Sequence, residues 1–343
     1  MKIIYSEKEK LHHPQYEWNE GKLKPYPEKN MRAEIIKNEA VKYGMGDKII
    51  NAKTFSEKYI KAVTDLQMFN FIKSCENLNK DESVFPHVFP YTDFTPKFKR
   101  HPRINLQKSG YYCFDVGIEI DKHTYEAAKA AVDCALTGAE LITKGKEKNV
   151  FALSRPPGHH AGFDHFGGYC IFNNAAVAAY ELVKTYGMVS ILDLDFHHGN
   201  GTQGIFYQYP NVLYASIHGD PEEYYPYFSG FADEKGEKLG LGANLNIPLG
   251  KGIKNEDYRA HLKKALKEIK KFGAKVLVLS MGFDTYKDDP IGDFDLTTEF
   301  YEEIALLVGE LQIPVLAVLE GGYDIADLQK NGMSFIKGFA QLD

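Results

Sequence analysis

Tryptophan, cysteine, positive charge and long hydrophobic runs are all scarce in this chain, and each shortage excludes something. The four cysteines, Cys75, Cys113, Cys134 and Cys170, are widely spaced and form no C-x-x-C pair, so neither a thiolate metal site nor a disulfide framework is expected and packing is their role. No apolar run approaches the roughly 20 residues of a membrane span. The start, Met1-Lys-Ile-Ile-Tyr-Ser6, has neither the apolar core nor the small-residue cleavage site of an export signal. A cytoplasmic protein without a membrane partner is therefore expected. Lys and Arg number 41 against 47 Asp and Glu, a net charge of -6, which argues against a nucleic-acid partner and favours cationic ligands.

What is present is a hydrophobic fraction of 44% in 343 residues, enough for one large α/β unit, and a single domain over residues 1–343 is expected. No internal repeat occurs. Short apolar runs at Ile3 to Tyr5, Asn149 to Leu153, Val189 to Leu194, Val212 to Ser216, Val276 to Ser280 and Val315 to Leu319 read as strands. Helical periodicity falls at 29–43, 55–75, 123–143, 174–186, 255–272 and 297–311. The alternation predicts crossovers and a mainly parallel sheet flanked by helices. The exception is Asp81 to Asp121, where Pro86, Pro90, Pro96 and Pro102 interrupt any period. Its aromatics, Phe85, Phe89, Tyr91, Phe94, Phe98, Tyr111, Tyr112 and Phe114, predict an ordered loop insert that walls a site or packs on a partner subunit.

The segment Asp193-Leu-Asp-Phe-His-His-Gly-Asn-Gly-Thr202 sets carboxylates and imidazoles at the end of an apolar run. In extended chain, Asp193, Asp195 and His197 share a face. Neighbouring buried carboxylates are costly unless a cation or proton compensates them. On this decapeptide alone, a plainer reading stands level, in which Asp and His cap a following helix at Asn200 or Thr202.

Three more clusters in corresponding places shift the balance: Ser154-Arg-Pro-Pro-Gly-His-His-Ala-Gly162, Ser280-Met-Gly-Phe-Asp284 and Glu320-Gly-Gly-Tyr323. Each follows an apolar run, and parallel sheets bind ligands at the carboxyl ends of their strands. Asp195, His197 and Asp284 then form a three-ligand set for a zinc-like ion, with a position open for water and substrate. His159 and His160 can serve it as proton acceptors, with Asp193 and Asn200 as orienting partners. An imidazole paired with Asp stays more cationic, whereas one paired with Asn remains a neutral base. Tyr323 can donate a hydrogen bond to a substrate oxygen that gains negative charge. Gly199 and Gly282 stand where a second metal would want carboxylates, so one ion is expected rather than two.

With these motifs and Gly167-Gly-Tyr-Cys170, nearly the whole chain resembles the arginase–deacetylase superfamily, on its histone deacetylase side, and within that the bacterial acetylpolyamine amidohydrolases. The resemblance implies one zinc ion, with iron(II) as the alternative, on Asp195, His197 and Asp284. It implies His160 as general base and acid, His159 as its electrostatic partner and Tyr323 as the oxyanion donor. It further implies a tunnel flanked by Gly168, Tyr169 and Tyr225, and a structural potassium ion near Asp193, Asp195, His197, Ser216 and Ile217.

By the same resemblance, Glu17 and Trp18 help define the mouth, and the 81–121 insert pairs subunits into a homodimer and narrows the entrance. Polyamine-specific members carry acids in that insert where this chain has Leu106 and Gly117; Asp115 and Glu119 are the nearest substitutes. The implied reaction is release of acetate from acetylated polyamines or related small acylamines. Deacetylation of acetyl-lysine peptides, and binding of an acylated ligand without catalysis, are the competing readings.

Overall fold

The computed structural model describes residues 1–19, 21–80, 82–90 and 105–342. Its strands are β1 (Lys2–Tyr5), β2 (Tyr16–Asn19), β3 (Lys22–Pro25), β4 (Ile49–Asn51), β5 (Asn149–Ala152), β6 (Val189–Asp193), β7 (Val212–Gly219), β8 (Asn244–Leu249), β9 (Val276–Met281) and β10 (Val315–Leu319). Its helices are α1 (Arg32–Lys42), α2 (Leu66–Ser74), α3 (Asn105–Tyr112), α4 (Thr124–Thr143), α5 (Asn174–Tyr186), α6 (Asn200–Phe206), α7 (Asn255–Phe272), α8 (Thr298–Gly309) and α9 (Leu328–Ala340). Eight strands form one sheet in the order β4-β1-β5-β10-β9-β6-β7-β8, every pairing parallel. The expected fold class, a mainly parallel α/β sheet flanked by helices, is present.

Strands β5, β6, β9 and β10 are buried at every position. Strands covered on both faces need apolar side chains on both, which is why they read as runs rather than as alternating patterns. Val150, Ala152, Ile191, Val278 and Val318 enter the core shared with α4 and α5, whereas Phe151, Leu192, Leu279 and Ala317 enter the core shared with α7, α8 and α9. Helix α7 shows how a helix meets such a face: Tyr258, Leu262, Ala265, Leu266 and Ile269 form one buried stripe. Gly273 ends it in the left-handed conformation at φ +80°.

The register levels the strand ends. Asp193 lies opposite Ser280 of β9 and Ser216 of β7, and Val318 lies opposite Ser280 and Ala152. The clusters that follow β5, β6, β9 and β10 are thereby delivered to one rim.

Several elements depart from the periodicity reading. The expected helix over 55–75 is a 3-10 turn at Ile60–Ala62 followed by α2, because Asp65 accepts the amides of Gln67 and Met68 and starts a new helix. Strands β4 and β8, the antiparallel β2–β3 hairpin and helix α9 fall outside the expected elements, and helix α6 is foreseen only by the capping reading of Asn200 or Thr202. β4 is three residues long, β8 contains Pro248, and the two helices carry internal glycines that dilute their signal. The insert is not without regular structure either, since α3 lies in it and Val84 bridges Ile120. Tyr91, Phe94, Phe98, Pro96 and Pro102 fall outside the described residues. Among the described residues, no helix is long and apolar enough to cross a membrane.

Candidate active site

A cavity of about 470 Å³ opens at the carboxyl edge of the sheet. His160, His197 and Tyr323 lie on its floor, and Trp18, Asp115, Gly168, Tyr169 and Tyr225 are among the residues that wall it.

Asp195, His197 and Asp284 present one ligand atom each within 4.8 Å of one another. Strand β6 ends at Asp193, so strand alternation does not align these groups as the sequence reading supposed. The turn after it does: Asp193 Oδ1 accepts the Asp195 amide at 3.2 Å, and Asp195 Oδ1 accepts the His197 amide at 3.0 Å. Asp195 Oδ2 accepts the Gly321 amide at 2.7 Å, and Asp284 Oδ1 accepts the Phe196 amide at 2.9 Å. His197 Nδ1 faces Asp284 Oδ2 at 3.0 Å.

Burial and the neighbouring Asp195 carboxylate push the Asp284 carboxyl up, a repulsion that a cation removes. A Cβ on Gly321 would lie 2.6 Å from both Asp195 Oδ2 and Asp284 Oδ2, so the gap between the carboxylates is kept by the missing side chain. Two carboxylates, one imidazole nitrogen and that gap fit a divalent ion. His159, Cys170 and Glu320 also cluster, but burial holds the Cys170 thiol protonated and backbone amides occupy Glu320. That group is a poor ion site.

The two imidazoles have the unequal partners expected of them. His159 Nδ1 meets Asp193 Oδ2 at 3.1 Å, and its Nε2 lies 3.7 Å from Asp195 Oδ1. Burial disfavours charge on His159, yet Asp195 and Asp193 outweigh it and the pKa rises to about 10. His160 Nδ1 meets Asn200 Oδ1 at 2.7 Å. An amide oxygen only accepts, so Nδ1 donates and Nε2 keeps its lone pair. Burial, followed by the positive His159 and His197, holds His160 well below the ordinary histidine range. Thus Asp193 and Asn200 act on the imidazoles and neither is an N-cap; α6 starts at Asn200 without a side-chain cap.

Two glycines confirm how little room the floor leaves. A Cβ on Gly199 would fall on Asp193 Oδ2 and lie 2.7 Å from the Tyr214 hydroxyl. One on Gly282 would lie 2.6 Å from Asp195 Cα. Gly168, at φ +54°, brings its backbone against the His160 ring, and a Cβ there would sit 2.9 Å from the Tyr225 hydroxyl.

A buried ionic brace behind the floor escaped the sequence reading. Arg32 is wholly buried and donates to the carbonyls of Glu320 and Gly322, both at 2.6 Å, while its guanidinium stands 4.7 Å from the Tyr323 ring centre. Glu28 pairs with Arg32 at 2.9 Å and with Arg155 at 2.6 Å. Glu320 accepts the Gly158 amide at 2.7 Å, the His159 amide at 3.1 Å and the Ser280 hydroxyl at 3.0 Å. The imidazole loop and the Tyr323 loop are therefore held by one network. Arg155 and Glu320 sit inside the Ser154–Gly162 and Glu320–Tyr323 motifs, but nothing in the pattern at Glu28 or Arg32 marks either as internal.

At the mouth, Glu17 accepts the Tyr169 hydroxyl at 2.8 Å, and burial raises its carboxyl above the ordinary range. Trp18 stands half exposed on the β2–β3 hairpin. Asp115 accepts the Gly168 amide at 2.6 Å and the Tyr225 hydroxyl at 2.8 Å, and Phe114 stacks on Tyr225 with centroids 6.0 Å apart. The insert thus walls the cavity through Asp115, Val116 and Gly117. Glu119, by contrast, is not among the lining residues, and Leu106 lies in α3. Ser216 and Ile217 lie on β7 beside Asp193, with the Ser216 hydroxyl 2.7 Å from His218 Nδ1.

A parallel sheet that gathers an Asp-His-Asp set, two unequally paired imidazoles and a buried phenol at one rim defines a metal-dependent hydrolase of the arginase–deacetylase fold. The chain belongs to the histone deacetylase family: the family described as "Histone deacetylase domain" matches residues 26–339. It is 40% identical to the acetylpolyamine amidohydrolase of Mycoplana ramosa over 344 residues, covering 99% of this chain and 100% of the relative. It is 37% identical to acetylpolyamine amidohydrolase 2 of Pseudomonas aeruginosa, covering 99% of this chain and 98% of the relative. The crystal structure of an acetylpolyamine aminohydrolase from Burkholderia pseudomallei superposes with a TM-score of 0.92 at 34% identity, covering 100% of this chain and 99% of that one.

Proposed function

We propose that this protein is a zinc-dependent deacetylase of acetylated polyamines or related small acylamines, releasing acetate and the free amine. The observation that carries the proposal is the pairing of a cationic imidazole with a neutral one beside the Asp195, His197 and Asp284 set. The similarity to acetylpolyamine amidohydrolases along essentially the full length supports the substrate class.

Asp195, His197 and Asp284 would hold the ion, zinc by the donor set, with iron(II) as the alternative. When bound, such an ion lowers the pKa of a water and polarises an amide carbonyl. The lack of room for side chains at Gly199 and Gly282 supports one ion rather than two. His160, neutral at Nε2, takes the proton of the attacking water and later delivers it to the amine nitrogen as the C–N bond breaks. His159 stays cationic through Asp193 and Asp195, and its charge opposes protonation of His160 before reaction. Tyr323, kept protonated by burial, donates its O–H to the carbonyl oxygen as negative charge develops. Gly168, Tyr169 and Tyr225 shape a passage for the acyl-bearing chain, with Glu17 and Trp18 at its mouth.

A potassium ion near Asp193, Asp195, His197, Ser216 and Ile217, a homodimer formed through the insert, and a cytoplasmic setting belong to the same proposal and rest on the family resemblance. The test is acetate release from N-acetylputrescine by protein stripped with a chelator and then titrated with zinc. One equivalent should restore activity to a plateau. A plateau reached only at two equivalents would contradict the single-ion site, and no acetate at any loading would contradict the function.

A further inference from the structure

Cationic recognition at the mouth needs a carboxylate that is still free to act, and among the described residues of the insert the one carboxylate that lines the cavity, Asp115, is already engaged. Asp115 spends Oδ2 on the Gly168 amide and the Tyr225 hydroxyl, and Oδ1 on the Gly117 amide at 3.0 Å. Glu17 is buried, 3% exposed, and holds the Tyr169 hydroxyl and the Asn19 amide. The third carboxylate lining the cavity is Glu223, which lies in the connection from β7 to β8 and not in the insert. It is exposed, and no described residue donates a hydrogen bond or forms an ion pair to its side chain.

The turn that carries Glu223 is well fixed. Asp220 accepts the amides of Glu223 and Tyr224, both at 2.9 Å, through its carbonyl and that of Glu222 at 3.1 Å through its side chain. Tyr224 anchors the turn from the other side, with its hydroxyl on Asp293 Oδ2 at 3.1 Å and its ring 5.0 Å from that of Phe196. Among the described residues, neither Lys nor Arg lines the cavity, while three carboxylates and several aromatic rings do. Acid and aromatic faces without basic groups attract an ammonium.

We propose that Glu223 is a specificity-determining residue that receives the distal ammonium of the substrate, so that this chain reads an acylated diamine through the β7–β8 connection, since Asp115, the described acid of the insert that lines the cavity, is already engaged. This rests on the deacetylase reading and adds the residue that selects the cationic end. The floor needs no such charge, because it acts on the amide alone.

The experiment compares kcat/KM for N-acetylcadaverine with that for N-hexylacetamide, which has a methyl group in place of the distal ammonium, in the zinc-loaded wild-type protein, Glu223→Gln and Glu223→Lys. The cationic-over-neutral ratio should fall about two- to fivefold in Glu223→Gln and further in Glu223→Lys, chiefly through KM, as expected for one exposed ion pair. A ratio equal to that of the wild type in both variants would overturn the proposal while leaving the deacetylase reading intact. Hydrolysis of neither substrate by the wild-type protein would overturn both.

Discussion

The floor and the mouth of the cavity are built by different means. On the floor, the side chains follow four adjacent strand ends, and backbone amides fix them: Asp195 by His197 and Gly321, Asp284 by Phe196, Glu320 by Gly158 and His159. At the mouth, the walls come from the β2–β3 hairpin, the insert and the β7–β8 connection, and Trp18 and Tyr227 are about half exposed. A buried floor whose groups constrain one another suits a fixed chemical step. A rim assembled from separate loops can change its charge without disturbing that step, which is how selectivity can move while the reaction stays.

If the regions divide labour in this way, floor substitutions should lower kcat for every acylamine, and rim substitutions should alter KM and substrate choice. The largest effect is expected from His160→Ala, which should lower kcat about 100- to 10,000-fold, the contribution of a positioned general base. The pH profile sharpens the same point. His160 accepts a proton only when neutral and its pKa is held below the ordinary value, so activity should fall on the acid side below pH 6.5. Asp195 and Asp193 hold His159 cationic in the metal-free protein and an ion on Asp195 weakens that hold, so a second decline belongs on the alkaline side, below about 10. An acid limb above pH 6.5 would reverse the assignment of neutral and cationic imidazole.

Tyr323→Phe comes next, with kcat down about 100- to 1,000-fold and KM little changed, the loss of one oxyanion donor. Near-normal turnover would remove Tyr323 from the chemistry. Arg32→Met tests whether the brace behind the floor matters. It removes one of the two cationic partners of buried Glu28 and the donors to the Glu320 and Gly322 carbonyls, so urea unfolding should show a loss of about 3 kcal/mol. The smallest effect is expected from Glu17→Gln, which keeps a group able to accept the Tyr169 hydroxyl and should change KM a few-fold at unaltered kcat. A large kcat loss there would break the division between floor and rim.

The same division governs what the sequence revealed. The floor was legible because each cluster follows a buried strand that reads as an apolar run, and parallel strands end together: Asp193, Ser280 and Val318 stand in register. The partners of His159 and His160 were legible from chemistry, since Asp193 and Asn200 lie in the one decapeptide that also carries two of the three expected ligands. The alignment of Asp195 and His197 was expected from strand periodicity and arises from a turn, which brings the same residues together by a different geometry. Glu28 and Arg32 gave no signal because a buried salt bridge between a loop and a helix end looks in sequence like surface charge. The rim was least legible. Asp115 and Glu119 differ by four residues, yet one lines the cavity with its oxygens engaged and the other is not among the lining residues. Glu223 lies more than 100 residues beyond either.

The central claim is that the floor deacetylates and the rim selects a small cationic amine. It is tested most directly by acetate release from the zinc-loaded protein, with kcat/KM compared for N-acetylputrescine, N-acetylcadaverine, N-acetylspermidine and an acetyl-lysine peptide under identical conditions. Preference for the small amines is the predicted result, and preference for the peptide would contradict it.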